Sequence, residues 1–253
     1  MEMTMTRSPS LSALLLAGLA LSTAACSRPA DDAAPAVKGG ATQDWSTLTD
    51  FNAIEATGPD DVAVTIGDAY SVRAEGDPKA IERLTIAVKG DRLVIGRKSD
   101  GNWAFGRKND DGDVTVHVTM PAIRAAALTG AGDFTLDRAE GDMLDLSLTG
   151  AGDFAIGTVK LRSLKTDITG AGSVKIAGTA DSGELAITGA GDIDADDLKL
   201  GTAKVSILGA GNIAFASDGA VAIRIMGPGD VTVKGKAQCT TSGTGPGEAR
   251  CAP

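Results

Sequence analysis

The heptapeptide LTGAGDF occupies residues 128–134 and returns unchanged at 148–154. The same frame continues as ITGAGSV at 168–174, ITGAGDI at 187–193, ILGAGNI at 207–213 and IMGPGDV at 225–231. The leading glycines stand at 130, 150, 170, 189, 209 and 227, in steps of 20, 20, 19, 20 and 18 residues. Each copy is a branched apolar residue, a Gly-x-Gly turn, a small polar residue and another apolar one. A fixed period of this length marks a repeat architecture.

Alternation flanks every turn. Leu144, Leu146 and Leu148 interleave with Asp145, Ser147 and Thr149, and Phe154 and Ile156 follow the next glycines. Period two on both sides means short strands with one buried face. A coil of about 20 residues buries that face only by stacking on a neighbour, so the expected fold is all-β: a single-stranded parallel β-helix. Strand spacing of about 4.8 Å makes six such coils a rod of roughly 25–30 Å.

The glycines read as corners that need unusual backbone angles and close stacking. A phosphate-binding loop would place a long helix after them, whereas strand-like residues follow in every copy. Asp133, Asp153, Ser173, Asp192, Asn212 and Asp230 form one column down the rod. Calcium takes oxygen ligands, but β-rolls that bind it repeat every nine residues. Ser173 and Asn212 also interrupt the like charges, leaving Asp133 and Asp153 as direct acidic neighbours. The column therefore reads as hydrogen-bonded turn residues, with no metal and no cofactor expected.

Upstream, IEATGPDDVAV at 54–64 shares its Gly-Pro, Asp and Val frame with IRIMGPGDVTV at 223–233, which puts the first coil near Phe51. Asp77 before Pro78 predicts a capped short helix. LTIAVKGDRLVIGRK at 84–98 predicts an N-terminal hairpin turning at Lys89-Gly90-Asp91, and DVTVHVTMP a further strand. Together with the serial TGAGD turns, FNAIEATGPDDVAVTIGDAYSVRAEGD and VTVHVTMPAI resemble the bacterial putative auto-transporter adhesin, head GIN domain family, over about residues 45–237. That resemblance implies a β-helical extracytoplasmic domain, often on a secreted or lipid-anchored chain, and brings no catalytic residues with it.

Residues 1–25 carry Arg7, an apolar run from Leu11 to Leu21 and small residues at Ala24 and Ala25, the pattern of a secretory signal. Cys26 follows directly, so LSTAAC resembles a lipobox, with Thr23 where Leu is usual, and Cys26 is the expected lipidation site. Residues 26–44 read as a lipid-anchored flexible tether. With Cys26 set aside, Cys239 and Cys251 are the expected disulfide, closing a C-terminal segment at 238–253.

The chain has 33 acidic and 24 basic residues, a net charge of −9. That balance argues against nucleic acid and against electrostatic adhesion to anionic lipid. His117 is the single histidine and cannot build a histidine metal cluster. Repeated acids could serve a β-helical carbohydrate-active enzyme, the alternative function, but no coil carries a distinctive acid/base pair, and no catalysis is expected. The least repetitive stretch, 99–113, places Trp103 and Phe105 beside Arg107 and Lys108. Two readings of it stand open: a binding hot spot, or a cap over the open end of the solenoid. The expected protein is thus a lipid-anchored envelope module, binding or structural and adhesive in character, held at the outer membrane by its lipid and facing an envelope or surface partner.

Overall fold

The computed structural model of the protein describes residues 40–98 and 112–252. Its strands begin with β1 (Ala41–Asp44), β2 (Ala53–Gly58), β3 (Asp61–Ile66) and β4 (Ser71–Gly76). The short helix α1 (Pro78–Arg83) leads to the hairpin β5 (Leu84–Lys89) and β6 (Arg92–Arg97), then to β7 (Val114–Met120) and β8 (Ala125–Gly130). The regular part runs through β9 (Phe134–Gly150), β10 (Asp153–Gly170), β11 (Ser173–Gly189) and β12 (Asp192–Gly209). It ends with β13 (Ile213–Ser217), β14 (Ala220–Met226), β15 (Val231–Lys234), β16 (Gln238–Thr244) and β17 (Ala249–Ala252). The strands form a β-solenoid in which successive coils from β9 onward pair in parallel.

Burial along β10 shows how one coil is shaped. Phe154 and Ile156 face inward, then Val159 and Leu161, then Leu164, Thr166 and Ile168. The period-two alternation slips at 157–158 and again at 162–163, where two successive residues point away from the core. Each slip turns the chain, and the Gly170–Gly172 turn closes the circuit, so a coil has three sides. Register then stacks like on like: Phe154 lies beside Phe134 and Val174, and Ile168 beside Leu148 and Ile187. The Phe134 and Phe154 rings sit 5.0 Å apart, edge to face. Each fully buried Leu, Ile, Val or Phe contributes about 1.5–3 kcal/mol by leaving water.

The two ends of the stack are closed differently. At the N-terminal end, β6 lies parallel to β2 and carries antiparallel β5, while β7 lies parallel to β3 and carries antiparallel β4 and β1 in turn. Helix α1 joins β4 to β5 and buries Ala80 and Ile81. The Asp77 carboxylate caps it by accepting from the Lys79 and Ala80 amides at 2.8 and 3.2 Å. Helix and hairpin stand where the sequence predicts them. Residues 41–44 correct the expected tether: they form β1 against Arg73–Gly76 of β4 and belong to the fold.

The C-terminal segment also differs from expectation. Residues 238–252 are a further coil, with β16 in register on β14, β17 on β15 and a corner at Gly245-Pro246-Gly247-Glu248. The inward positions shrink from Val221, Ile223 and Ile225 to Cys239, Thr241 and Gly243. Cys239 and Cys251 are disulfide-bonded across this coil, with Cα atoms 6.6 Å apart. The core therefore tapers into a covalent brace.

Candidate functional site

Two features of the surface could carry function: the repeated corner and the grooves beside it. At the corner, the left-handed backbone belongs to the first glycine of each pair, with φ of 141° at Gly130, 130° at Gly189 and 139° at Gly209. The second glycine is excluded from bearing a side chain for another reason. A Cβ on Gly191 would lie 2.8 Å from Ile168 Cγ2 and would overlap the Gly172 carbonyl oxygen of the coil before it. Glycine is thus required twice per corner, once for conformation and once for stacking.

The polar column is a hydrogen-bond ladder. Asp61 Oδ1 accepts the Asp133 amide at 2.9 Å, Asp133 Oδ1 the Asp153 amide at 3.3 Å, and Asp153 Oδ1 both the amide and hydroxyl of Ser173 at 2.8 Å. Asp192 Oδ1 accepts the Asn212 amide at 2.8 Å, Asn212 Oδ1 the Asp230 amide at 3.2 Å, and Asp230 Oδ1 the Glu248 amide at 2.8 Å. The run breaks once, at Ser173, where the Asp192 amide turns to the Gly172 carbonyl at 3.3 Å. Apart from Ser173, each accepting side chain satisfies the backbone of the next coil, which is a structural task. Asp61 and Glu248 extend the column beyond the members visible in the sequence. Among the described residues, no group of three or more His, Cys, Asp or Glu side chains is placed to hold a metal ion.

The concave surface lies elsewhere. An open cavity of about 680 Å³ at the first slip corner is lined by Gly157, Lys175, Asp194, Asp196, Asp197 and Lys234, among others. A second, of about 420 Å³, lies on the short side between Thr179, Asp181, Lys199, Gly201 and Asp218. A third, also about 420 Å³, sits at the next corner between Ser182, Glu184, Thr202, Lys204 and Gln238. Residues 175–184 of β11 pass through all three in order.

Three ion pairs cross this surface: Lys234 to Asp196 at 3.0 Å, Lys175 to Asp194 at 3.7 Å and Lys199 to Asp218 at 2.6 Å. The Lys199 ammonium holds the Asp218 carboxyl below the usual carboxylate range, and the Lys236 amide, donating at 3.1 Å, supports the same shift. Lys234 reaches Asp196 across the shortened coil of β13, which pairs with β12 on one side and β15 on the other.

Cys26, Trp103, Phe105, Arg107 and Lys108 lie outside the described residues. His117 is exposed on β7, opposite Ala63 of β3 and Arg73 of β4. The grooves were invisible in the sequence because they depend on which small residues stack on which large ones. The signal was present in AGTADSG at 177–183, which departs from the leucine-rich stretches aligned with it.

Residues 50–237 match the family described as "Putative auto-transporter adhesin, head GIN domain". A crystal structure of a "putative adhesin" from Bacteroides fragilis superposes with a TM-score of 0.77 at 23% identity, covering 85% of this chain and 98% of that one. A "putative lipid binding protein" from Parabacteroides distasonis superposes with a TM-score of 0.66 at 18% identity, over 84% and 96% of the two chains. A "putative adhesin" from Parabacteroides merdae gives 0.60 at 20% identity, over 84% and 95%. These likenesses establish the β-solenoid fold. No curated protein matches the chain.

Proposed function

We propose, for a chain that belongs to the auto-transporter adhesin head GIN domain family, a lipid-anchored module of the bacterial envelope that binds a partner along the side of its solenoid and performs no catalysis. The observation that carries this reading is the division of labour on the surface. The repeated acids are committed to the corner ladder. A separate run of grooves lined by charged and hydroxyl side chains is left for recognition. The names of the neighbours, adhesin and lipid-binding protein, agree with a surface-binding role. The signal pattern of residues 1–25 and Cys26 in LSTAAC support export and lipid attachment at the outer membrane.

Fractionation of cells expressing the full chain and Cys26→Ser tests the anchor. The parent is expected in the detergent-soluble membrane fraction and the variant in the soluble periplasm; a variant that stays in the membrane refutes lipid attachment at Cys26. Sedimentation of the purified Cys26→Ser protein with isolated envelopes of the host tests the binding role. Co-sedimentation that saturates is expected, and no retention at any envelope concentration refutes it.

A further inference from the structure

The three grooves have one cause. In β10, the second side of the coil fills its inward positions with Val159 and Leu161, and in β12 with Leu198 and Leu200. The residues in register between them are Gly178 and Ala180. At the next corner Gly183 sits between Leu164 and Ala203, and Leu200 covers it so closely that a Cβ there would lie 2.5 Å from Leu200 Cδ1. One coil therefore carries small residues at three consecutive inward positions, with Val159 and Leu200 packed close against its glycines, and the depressions follow it from Lys175 to Glu184. Ten residues at about 3.3 Å each make a path of roughly 30 Å.

The path has a definite chemistry. Six carboxylates line it, Asp181, Glu184, Asp194, Asp196, Asp197 and Asp218, against the ammonium groups of Lys175, Lys199, Lys204 and Lys234. Three of those lysines are already tied to Asp194, Asp218 and Asp196. What faces a ligand is therefore Asp181, Asp197 and Glu184 with Lys204. The third groove adds the hydroxyl or amide groups of Ser163, Ser182, Thr202, Gln238 and Thr240.

A peptide has little to hold. Strand β11 is flanked by β10 on one edge and β12 on the other, so it offers no free edge for an added strand. The apolar residues along the path, including Ile156, Ile176, Leu200 and Val221, are themselves buried. A chain rich in hydroxyls and carrying amines matches both the surplus of carboxylates and the hydroxyl-lined stretch.

Resting on the binding role proposed above, we infer that the belt along residues 175–184 is a site for a linear amine-bearing polysaccharide. The test is calorimetry at low salt with four probes: glucosamine hexamer, N-acetylglucosamine hexamer, galacturonate hexamer and hexalysine. The amine-bearing glycan is expected to bind at least tenfold tighter than the neutral and acidic glycans and tighter than hexalysine. In Asp181→Asn/Asp197→Asn, two exposed substitutions, that binding should weaken at least tenfold with an unchanged melting temperature.

Equal or stronger binding of hexalysine would reduce the site to charge alone and overturn the glycan assignment. Undiminished glucosamine-hexamer binding by the double variant would place the site elsewhere, and no binding of that probe would refute the inference. The envelope sedimentation separates these outcomes from failure of the binding role. A protein retained by envelopes but indifferent to the probes keeps the role and loses the belt, whereas one that envelopes do not retain loses the role itself.

Discussion

The first corner of the solenoid and the corners above it solve different problems with the same frame. Gly58-Pro59-Asp60-Asp61 is in register with Gly130-Ala131-Gly132-Asp133, so Asp60 stands where every later coil has its second glycine. A Cβ on Gly132 would overlap the Asp60 carbonyl oxygen, one on Gly152 that of Gly132, and one on Gly172 that of Gly152. The clash always comes from the coil before. The layer before Asp60 is β6 and β7, paired in parallel with β2 and β3, and here the second position of the corner carries a side chain. That side chain is buried and accepts from the Arg97 guanidinium, with Nε at 2.8 Å and Nη2 at 2.5 Å. Where the Gly-x-Gly frame begins, a charge pair to Arg97 of β6 stands at the position that later coils give to the second glycine. The glycine rule is therefore directional, and it is steric at its second position and conformational at its first.

Exchanging the two solutions gives the largest expected effects. Gly132→Asp and Gly209→Val should each cost more than about 4 kcal/mol, the first by collision with Asp60 and the second by strain at φ 139° as well as overlap with Gly189. Soluble yield and thermal melts check this; a melting temperature within a few degrees of the parent for Gly132→Asp would break the directional rule. In the opposite sense, Asp60→Gly suits the corner's backbone but takes the Asp60 carboxylate away from Arg97, whose side chain is 13% exposed. Loss of such a partner costs about 3–5 kcal/mol. Urea unfolding of Asp60→Gly and Asp60→Gly/Arg97→Met should show the double variant recovering part of that loss.

The C-terminal end sharpens the contrast because its closure is covalent. Cys239→Ala/Cys251→Ala should weaken the last coil by up to about 3 kcal/mol. Since each coil contacts mainly its neighbours, hydrogen exchange is expected to rise in β16 and β17 and to stay unchanged in β9–β11. Uniform loss of protection along the rod would instead make the brace a global element. The smallest effect belongs to the ladder: Asp192→Asn keeps the oxygen that accepts from Asn212 and should shift stability by no more than about 0.5 kcal/mol. Melts in calcium and in chelator should coincide for parent and variant, and a chelator-induced destabilisation of the parent that vanishes in Asp192→Asn would make the column a metal site.

The solenoid was legible because its determinants are local and repeated. Period-two alternation names the inward residues, and a glycine pair every 18–20 residues names the corner. The cap of α1 and the Lys89-Gly90-Asp91 turn were likewise readable from a few adjacent residues. What escaped was what depends on register between coils. Ala41–Asp44 carries no alternation of its own and becomes a strand only because β4 offers an antiparallel edge. The corner at Gly245 hid in a segment whose inward residues are Cys, Thr and Gly instead of branched aliphatics. The placement of positive φ at the first glycine, not the second, also needed coordinates, since both positions reject side chains. The belt was hidden for the same reason: small residues at 177–183 mean nothing until leucines are known to flank them.

Because each corner is vetted only by the coil beneath it, the rod can grow by copying. A tandem duplication of one 20-residue unit within the regular part lays down glycines that meet the same carbonyl oxygens their originals met. It adds a rung to the polar ladder and lengthens the rod by about 4.8 Å. Neither the Asp60–Arg97 pair nor the disulfide has to change. The identical stretches 128–134 and 148–154 show that two neighbouring corners accept the same residues, and the 19- and 18-residue steps show that the corners also accept shorter units. Reach is thus a quantity this architecture can alter in whole units at the level of the gene, while both ends stay as they are.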